Sequence, residues 1–332
     1  MTIDLRDKSV RRRELIALLG GGAAAWPLSV LAQLDHPAAA RIGYLGIASG
    51  PLADLFLAGM REGGYSEGQN LRVERREYER NIPRLAEYAA ELVRLKVDAI
   101  FATGPGPVRA VANVTHDIPL VAIDLESDPM EAGWATSLAH PGGNVTGVFQ
   151  DLPQLVGKWL EFVRSLVPNM SRIAVLWDPE TGTAQLQAIG AAAKSLGVEI
   201  EVLEVRLPED FEARFSAIAR KRPDALIQLS SPLIFLQSKQ TAEFALRNHI
   251  PAISLFAAFA EAGGLISYGP NVGDLYRRCG VYAAKVLKGA KPSELPIERP
   301  TRFILTINLE AAKLLGLTMP PSLLVQADEV IE

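Results

Sequence analysis

From residue 41 onward, short apolar runs alternate with stretches whose apolar residues recur every three or four positions, as expected for strands and amphipathic helices in turn. Arg41 to Gly46 reads as the first strand, and Leu52, Leu55, Phe56 and Gly59 then repeat at helical spacing until Gly63-Gly64. Leu71 to Tyr78 alternates apolar and charged residues in the manner of an edge strand. Ile82 to Leu95 is an amphipathic helix with Leu85, Tyr88, Ala89 and Leu92 on one face. Ala99 to Ala102 is a buried strand that ends in Thr103-Gly104-Pro105-Gly106-Pro107, a helix follows from Val108, and Pro119 to Asp124 is the next strand.

The rhythm restarts near residue 172. Strands are expected at Ile173–Trp177, Val198–Val205 and Ala225–Leu229, with helices through Leu196, over Phe211–Ala219 and over Leu236–Asn248. Strand, helix and strand in repeated order is the pattern of parallel sheets joined by crossover helices. The fold expected is α/β, with two doubly wound parallel-sheet lobes around a cleft. The turn-rich stretch Ala139 to Gly147 between the halves suits a hinge or a crossing segment.

The amino-terminal segment follows a different pattern. Arg11-Arg12-Arg13 precede an apolar run from Leu15 to Ala25 that Gly20-Gly21-Gly22 interrupts and Pro27 ends. That run is too short for the roughly 20 residues of a membrane-spanning helix. It reads as an export signal of the twin-arginine type, residues 1–32, with cleavage after Ala32 and a periplasmic destination. The alternative is a disordered basic tail, which would have no apolar core or cleavage site.

Charge and cysteine content narrow the function classes. Arg6, Lys8, Arg11, Arg12 and Arg13 against Asp4, Asp7 and Glu14 give the signal a net +2, so with −4 for the whole chain the remainder carries −6. No basic cluster interleaved with aromatics follows it, which argues against nucleic acid. The single cysteine, Cys279, excludes an intramolecular disulfide and reads as a buried helix residue. His36, His116, His140 and His249 are scattered, without metal-ligand spacing. No cofactor is expected.

In open α/β sheets ligands sit beyond the carboxyl ends of the strands. The loops there carry Ser49, Thr103, Gly104, Asp124, Asp178, Ser230 and Ser231. Thr103 and Gly104 either seat a carboxylate at the opening of a helix or merely turn the chain, since Pro105 and Pro107 lack N–H donors. Asp124 and Asp178 are each either the partner of a ligand ammonium or a helix cap. Phe256 and Tyr268 either stack on a ligand ring or belong to the core. A hydrolase or isomerase using the same cleft would need a nucleophile with a linked histidine; no Gly-x-Ser-x-Gly elbow is present, so the chain is not expected to be an enzyme.

Several segments together resemble the ABC transporter substrate-binding proteins of the tryptophan/tyrosine-type group, which have the periplasmic binding protein type I fold. They are Arg12-Arg13-Glu14-Leu15-Ile16, Leu138 to Gly147, Gly157-Lys158-Trp159-Leu160-Glu161, Ala262 to Asn271, Val286-Leu287-Lys288-Gly289, Pro300-Thr301-Arg302-Phe303, Ile307-Asn308-Leu309 and Ala327 to Glu332. The chain departs from the family pattern at Asp178-Pro179, at Ser230-Ser231-Pro232 and in Tyr268-Gly269-Pro270-Asn271. The resemblance implies a monomeric extracytoplasmic receptor that captures a small carboxylate-bearing solute, such as an aromatic or branched amino acid, and delivers it to an ABC permease in the inner membrane. A module that reports the ligand to a membrane signalling partner is the other reading. Lobes are expected over 41–145 plus 268–292 and over 146–267 plus 300–326.

Overall fold

The computed structural model describes residues 39–46, 50–79, 81–150 and 152–332. The signal reading of residues 1–32 and the ligand role of Ser49 lie outside these residues. Five strands, β1 (Ala40–Gly46), β2 (Leu71–Glu77), β3 (Ala99–Thr103), β4 (Leu120–Asp124) and β5 (Val145–Phe149), form one sheet in the order β2-β1-β3-β4-β5. Every pairing in it is parallel. Its helices are α1 (Pro51–Glu62), α2 (Arg84–Arg94) and α3 (Pro105–Val114). β3 and β4 are apolar along almost their whole length because both faces are covered. β2 lies at an edge, and its arginines and glutamates pair outward, as in Arg41–Glu74 at 3.1 Å and Arg75–Glu67 at 2.6 Å.

The second sheet is built after α4 (Pro153–Leu166) from β6 (Arg172–Trp177), α5 (Ala184–Ser195), β7 (Glu199–Glu204), α6 (Asp210–Lys221), β8 (Ala225–Gln228), α7 (Pro232–Leu236), α8 (Ser238–Arg247), β9 (Ala252–Ser254), α9 (Ala257–Glu261) and β10 (Ile266–Pro270). The chain then enters α10 (Val272–Leu287), which packs on α1 and the first sheet, and returns as β11 (Phe303–Asn308) and β12 (Glu329–Ile331). The order is β12-β11-β10-β9-β8-β6-β7. β11 runs antiparallel to β10, whereas the other pairings are parallel. The reason is topological. The excursion to α10 leaves from the end of β10 and re-enters beside it, so the returning strand must run the other way.

Two α/β lobes therefore share one chain that passes between them after β5, around residues 270–272 and around residues 299–302. The stretch Ala139 to Gly147, expected as a hinge or crossing segment, instead stays with the first sheet. Asn144 Nδ2 donates to Thr115 and Ile118 carbonyls, and Val145 pairs directly with Leu120 of β4. β5 thus carries the first sheet to Phe149. Glu298, on the returning segment, adds a further edge contact: its N–H donates to the Gly147 carbonyl and its carbonyl accepts from Phe149 N–H, at 2.9 and 3.0 Å.

The core lies in three layers. One, between α2/α3 and the first sheet, contains Leu92, Ile100, Val108 and Leu120. Another, on the α6/α8 face of the second sheet, contains Leu226, Phe211 and Phe244. The largest spans both lobes, from Phe56, Phe101 and Cys279 to Trp159, Ile173 and Ile253. Helices α1 and α10 approach closely in it. A Cβ on Gly59 would lie 1.9 Å from the Arg277 carbonyl oxygen, and one on Gly280 2.0 Å from that of Phe56. Only glycine permits that crossing, and it fixes the height of α10 against the first sheet.

Candidate functional site

The carboxyl ends of the strands in both sheets converge on one cavity of about 470 Å³. The first lobe supplies Tyr44 from β1, Pro51 and Leu52 from the start of α1, Thr103 and Gly104 from the β3–α3 turn, and Leu125 and Glu126 after β4. The second lobe supplies Pro232, Phe235 and Leu236 of α7, and Phe256, Ala258 and Glu261 around α9. Val272 and Tyr276 of α10 close one side.

Most of this surface is apolar. Phe235 and Phe256 meet edge to face, with centroids 4.9 Å apart. Opposite them, Tyr44 and Tyr276 both pack edge-on against Phe101, at 5.5 and 5.7 Å, and Phe56 stacks on Phe101 at 4.0 Å. The Thr103 hydroxyl is within hydrogen-bonding reach of both tyrosines. Burial pushes the Tyr44 phenol up to about 12 and raises that of Tyr276 as well, so both hydroxyls keep their protons. Two carboxyl groups, on Glu126 and Glu261, line the cavity. Among its described lining residues there is no lysine, arginine or histidine.

The lobes touch beside the cavity. Gly104 has φ +84°, in the left-handed region, and a Cβ there would lie 2.9 Å from Pro232 of the other lobe. A Cβ at Gly106 would lie 2.9 Å from a Glu180 carboxylate oxygen. Ser230 Oγ, at the end of β8, donates to Glu126 Oε1 at 2.5 Å across the lobes.

Of the residues expected from sequence, Thr103, Gly104 and Phe256 line the cavity. Asp124, Asp178, Ser230 and Tyr268 are not among its lining residues. Asp124 is fully buried, and its Oδ1 accepts from Glu126 and Ser127 N–H at 2.9 and 3.0 Å, fixing the turn after β4. Asp178 is also fully buried; it accepts from Glu180 N–H at 3.0 Å and from Ser231 Oγ at 2.6 Å, so it caps the short turn after β6. Ser230 is clamped by Gln185, which donates to its carbonyl at 3.1 Å and accepts from its N–H at 2.9 Å. The Tyr268 ring faces the opposite side of β10, against Phe162 and Phe303, and its carbonyl accepts from Trp159 Nε1 at 2.9 Å.

Sequence reasoning passed over Tyr44, Glu126, Phe235, Glu261 and Tyr276. Glu126 stands two residues beyond Asp124 in the same turn after β4; both acids are buried, and Glu126 is the one among the cavity's lining residues. Tyr276 had no such signal, because helical periodicity does not tell which lobe a wandering helix will join.

Two α/β lobes joined by three chain crossings, with the first sheet in the order β2-β1-β3-β4-β5 and a cavity at the strand ends, make the type I periplasmic binding protein fold. A family described as ABC transporter substrate binding protein matches residues 30–331, and the chain belongs to it. It is similar to the tyrosine-binding protein of Clostridioides difficile strain R20291, 26% identical over 264 residues that cover 79% of this chain and 75% of that protein. Among solved structures, an ABC domain from Streptococcus pneumoniae in complex with L-Trp is 27% identical, with a TM-score of 0.77 over 88% of this chain and 99% of that one. A conserved domain protein from Vibrio cholerae O1 biovar El Tor shares the fold at 24% identity, with a TM-score of 0.80 over the same shares of the two chains.

Proposed function

We propose that this protein is the extracytoplasmic receptor of an ABC importer and that it captures a small aromatic amino acid, or a closely related acid, in the interlobe cavity. The observation that carries this reading is the pairing of an apolar, aromatic-walled cavity with a few polar groups, contributed by both lobes. The relatives that bind tyrosine and L-Trp support the same ligand class. In this reading Phe235 and Phe256 form one side of the ring slot and Tyr44 and Tyr276 the other. Thr103 and the first turns of α1 and α3 receive the carboxylate. Because both lobes contribute contacts, ligand stabilises the closed arrangement, with the three crossing segments as hinges.

Residues 1–32 then serve as the twin-arginine export signal, and the mature protein works in the periplasm as a monomer that delivers its ligand to an inner-membrane permease. No catalytic role is assigned. The cleft serines are engaged, Ser230 with Glu126 and Ser231 with Asp178 and the α7 N–H groups, and no histidine is among the described lining residues. A thermal-shift screen over amino acids and aromatic acids tests the reading. A ligand at 100 times its dissociation constant adds about 2.7 kcal/mol. A rise in Tm with an aromatic amino acid is expected; turnover of any compound in the screen, or no shift with the whole set, would refute it.

A further inference from the structure

We propose that Glu126 is the residue that receives the ligand's ammonium group, making a cationic amine, rather than the carboxylate, the feature this cleft selects most strongly. The inference rests on the aromatic-ligand reading above and adds to it a residue and a chemical requirement. Glu126 is one of the two acids among the cavity's described lining residues. It belongs to the first lobe, lines the cavity and is tied to the second lobe by Ser230 at 2.5 Å. A ligand held there is therefore in contact with the bond that joins the two lobes.

Charge balance gives the sign. The groups around Glu126 are Asp124 on its own strand end, Ser230 at the end of β8, and Tyr276 on α10, whose phenol feels the Glu126 charge. Glu261 on α9 shares the cavity, and Asp178 stands behind Ser231. None of these is basic. A carboxylate ligand without an amine would add a negative charge to a low-dielectric site that already contains acids. An ammonium would supply the missing positive charge.

The buried acid pair makes the same point from inside the protein. Asp124 Oδ2 is buried without a hydrogen-bond donor. Burial and the neighbouring Asp124 charge push Glu126 up to about 8, and burial raises Asp124 too. A proton held on the pair supplies the donor that Oδ2 lacks, so the ligand-free site carries one proton at neutral pH. When an ammonium arrives, the carboxylate form of Glu126 is favoured and that proton passes to the buffer. The ammonium keeps its own proton, and no bond other than O–H is broken.

Titration calorimetry at pH 7 with three probes tests this. L-tryptophan carries both charged groups, tryptamine only the amine, and indole-3-propionate only the carboxylate. Repeating each titration in phosphate and in Tris, which differ in ionisation enthalpy, counts the protons released. L-tryptophan and tryptamine should each release most of about one proton, and indole-3-propionate should bind at least tenfold more weakly than L-tryptophan, releasing none. In Glu126→Gln, which keeps an acceptor for Ser230, tryptamine affinity should fall at least about tenfold and proton release should vanish. Equal enthalpies for L-tryptophan in the two buffers of the wild-type protein, or undiminished tryptamine binding by Glu126→Gln, would overturn the role of Glu126 and leave the aromatic-ligand reading intact. Failure of all three probes to bind would overturn both.

Discussion

Two cavities among the described residues are of nearly equal size and opposite character. The interlobe cavity of about 470 Å³ is walled by aromatic and aliphatic side chains and contains acids without bases. The other, about 450 Å³, lies where the returning segment passes α10 and is lined by Arg277, Arg278, Arg299 and Arg302 with Glu62, Asp274 and Glu298. By charge alone the arginine-lined cavity would be taken for an anion site. Three of its four arginines, however, are paired: Arg277 with Glu62, Arg278 with Glu298, and Arg299 with Asp128 at 3.7 Å. Glu298 is held well below the usual carboxylate range, chiefly by its hydrogen bonds from Arg278 and further by one from Tyr282. Those pairs tie the returning segment to the first lobe. Among the described lining residues of the interlobe cavity no cation accompanies Glu126 and Glu261, as the proposed ligand site requires. Whether charges are matched internally distinguishes a joint from a binding site better than their number does.

Helix α10 borders both cavities, with Val272 and Tyr276 toward one and Arg277, Arg278 and Val281 toward the other. Displacing it should damage both, and this is the largest effect expected. Gly280→Ala places a methyl group against the Phe56 carbonyl and should cost about 3 kcal/mol of stability, the upper part of the range for overpacking. Urea denaturation measures it. A loss below about 0.5 kcal/mol would mean that the crossing is not tight.

Single cavities should respond separately. Thr103→Val keeps the volume but removes the hydroxyl between Tyr44 and Tyr276; affinity for L-tryptophan should fall about tenfold. Glu298→Gln should lower stability by about 1 kcal/mol, because its ion pair is partly exposed, and leave that affinity within about twofold. Reversed outcomes in equilibrium dialysis and melting would exchange the roles of the two cavities.

A pH series separates them further. Glu126 has a raised pKa in the folded chain, so between the ordinary carboxylate range and about 8 the native state binds more protons than the unfolded one. Its contribution to stability is lost as pH rises through that window. The Tm of the ligand-free protein should therefore fall from pH 6 to pH 9, and Glu126→Gln should flatten the fall. An unchanged slope in the variant would remove the buried proton. The smallest effect is expected at Arg302, an exposed residue without an ion pair among the described residues: Arg302→Ala should change stability and L-tryptophan affinity by less than about 0.5 kcal/mol each.

The strand and helix order was legible because central parallel strands such as Ala99–Thr103 and Leu120–Asp124 are nearly continuous apolar runs, while the edge strand Leu71–Glu77 alternates. The carboxyl-end rule led to Thr103, Gly104 and the turn after β4. It could not rank neighbours within that turn. Asp124 and Glu126 are both acids two positions apart, and only the serine 104 residues away in the other lobe distinguishes them. Asp178 carried both a ligand and a capping reading, and the capping bonds are the ones present. Tyr268 sits in a strand, where alternation assigns a side but does not say which side faces the cleft. Phe235 and Leu236 lie in a five-residue helix, too short for periodicity to show a face.

The most direct measurement is a crystal structure of the protein grown with L-tryptophan. The indole ring is expected between the Phe235–Phe256 wall and the Tyr44–Tyr276 wall, with contacts from both lobes. A ring in the arginine-lined cavity, or a cleft that stays empty at saturating L-tryptophan, would contradict the assignment of the interlobe cavity as the aromatic-ligand site.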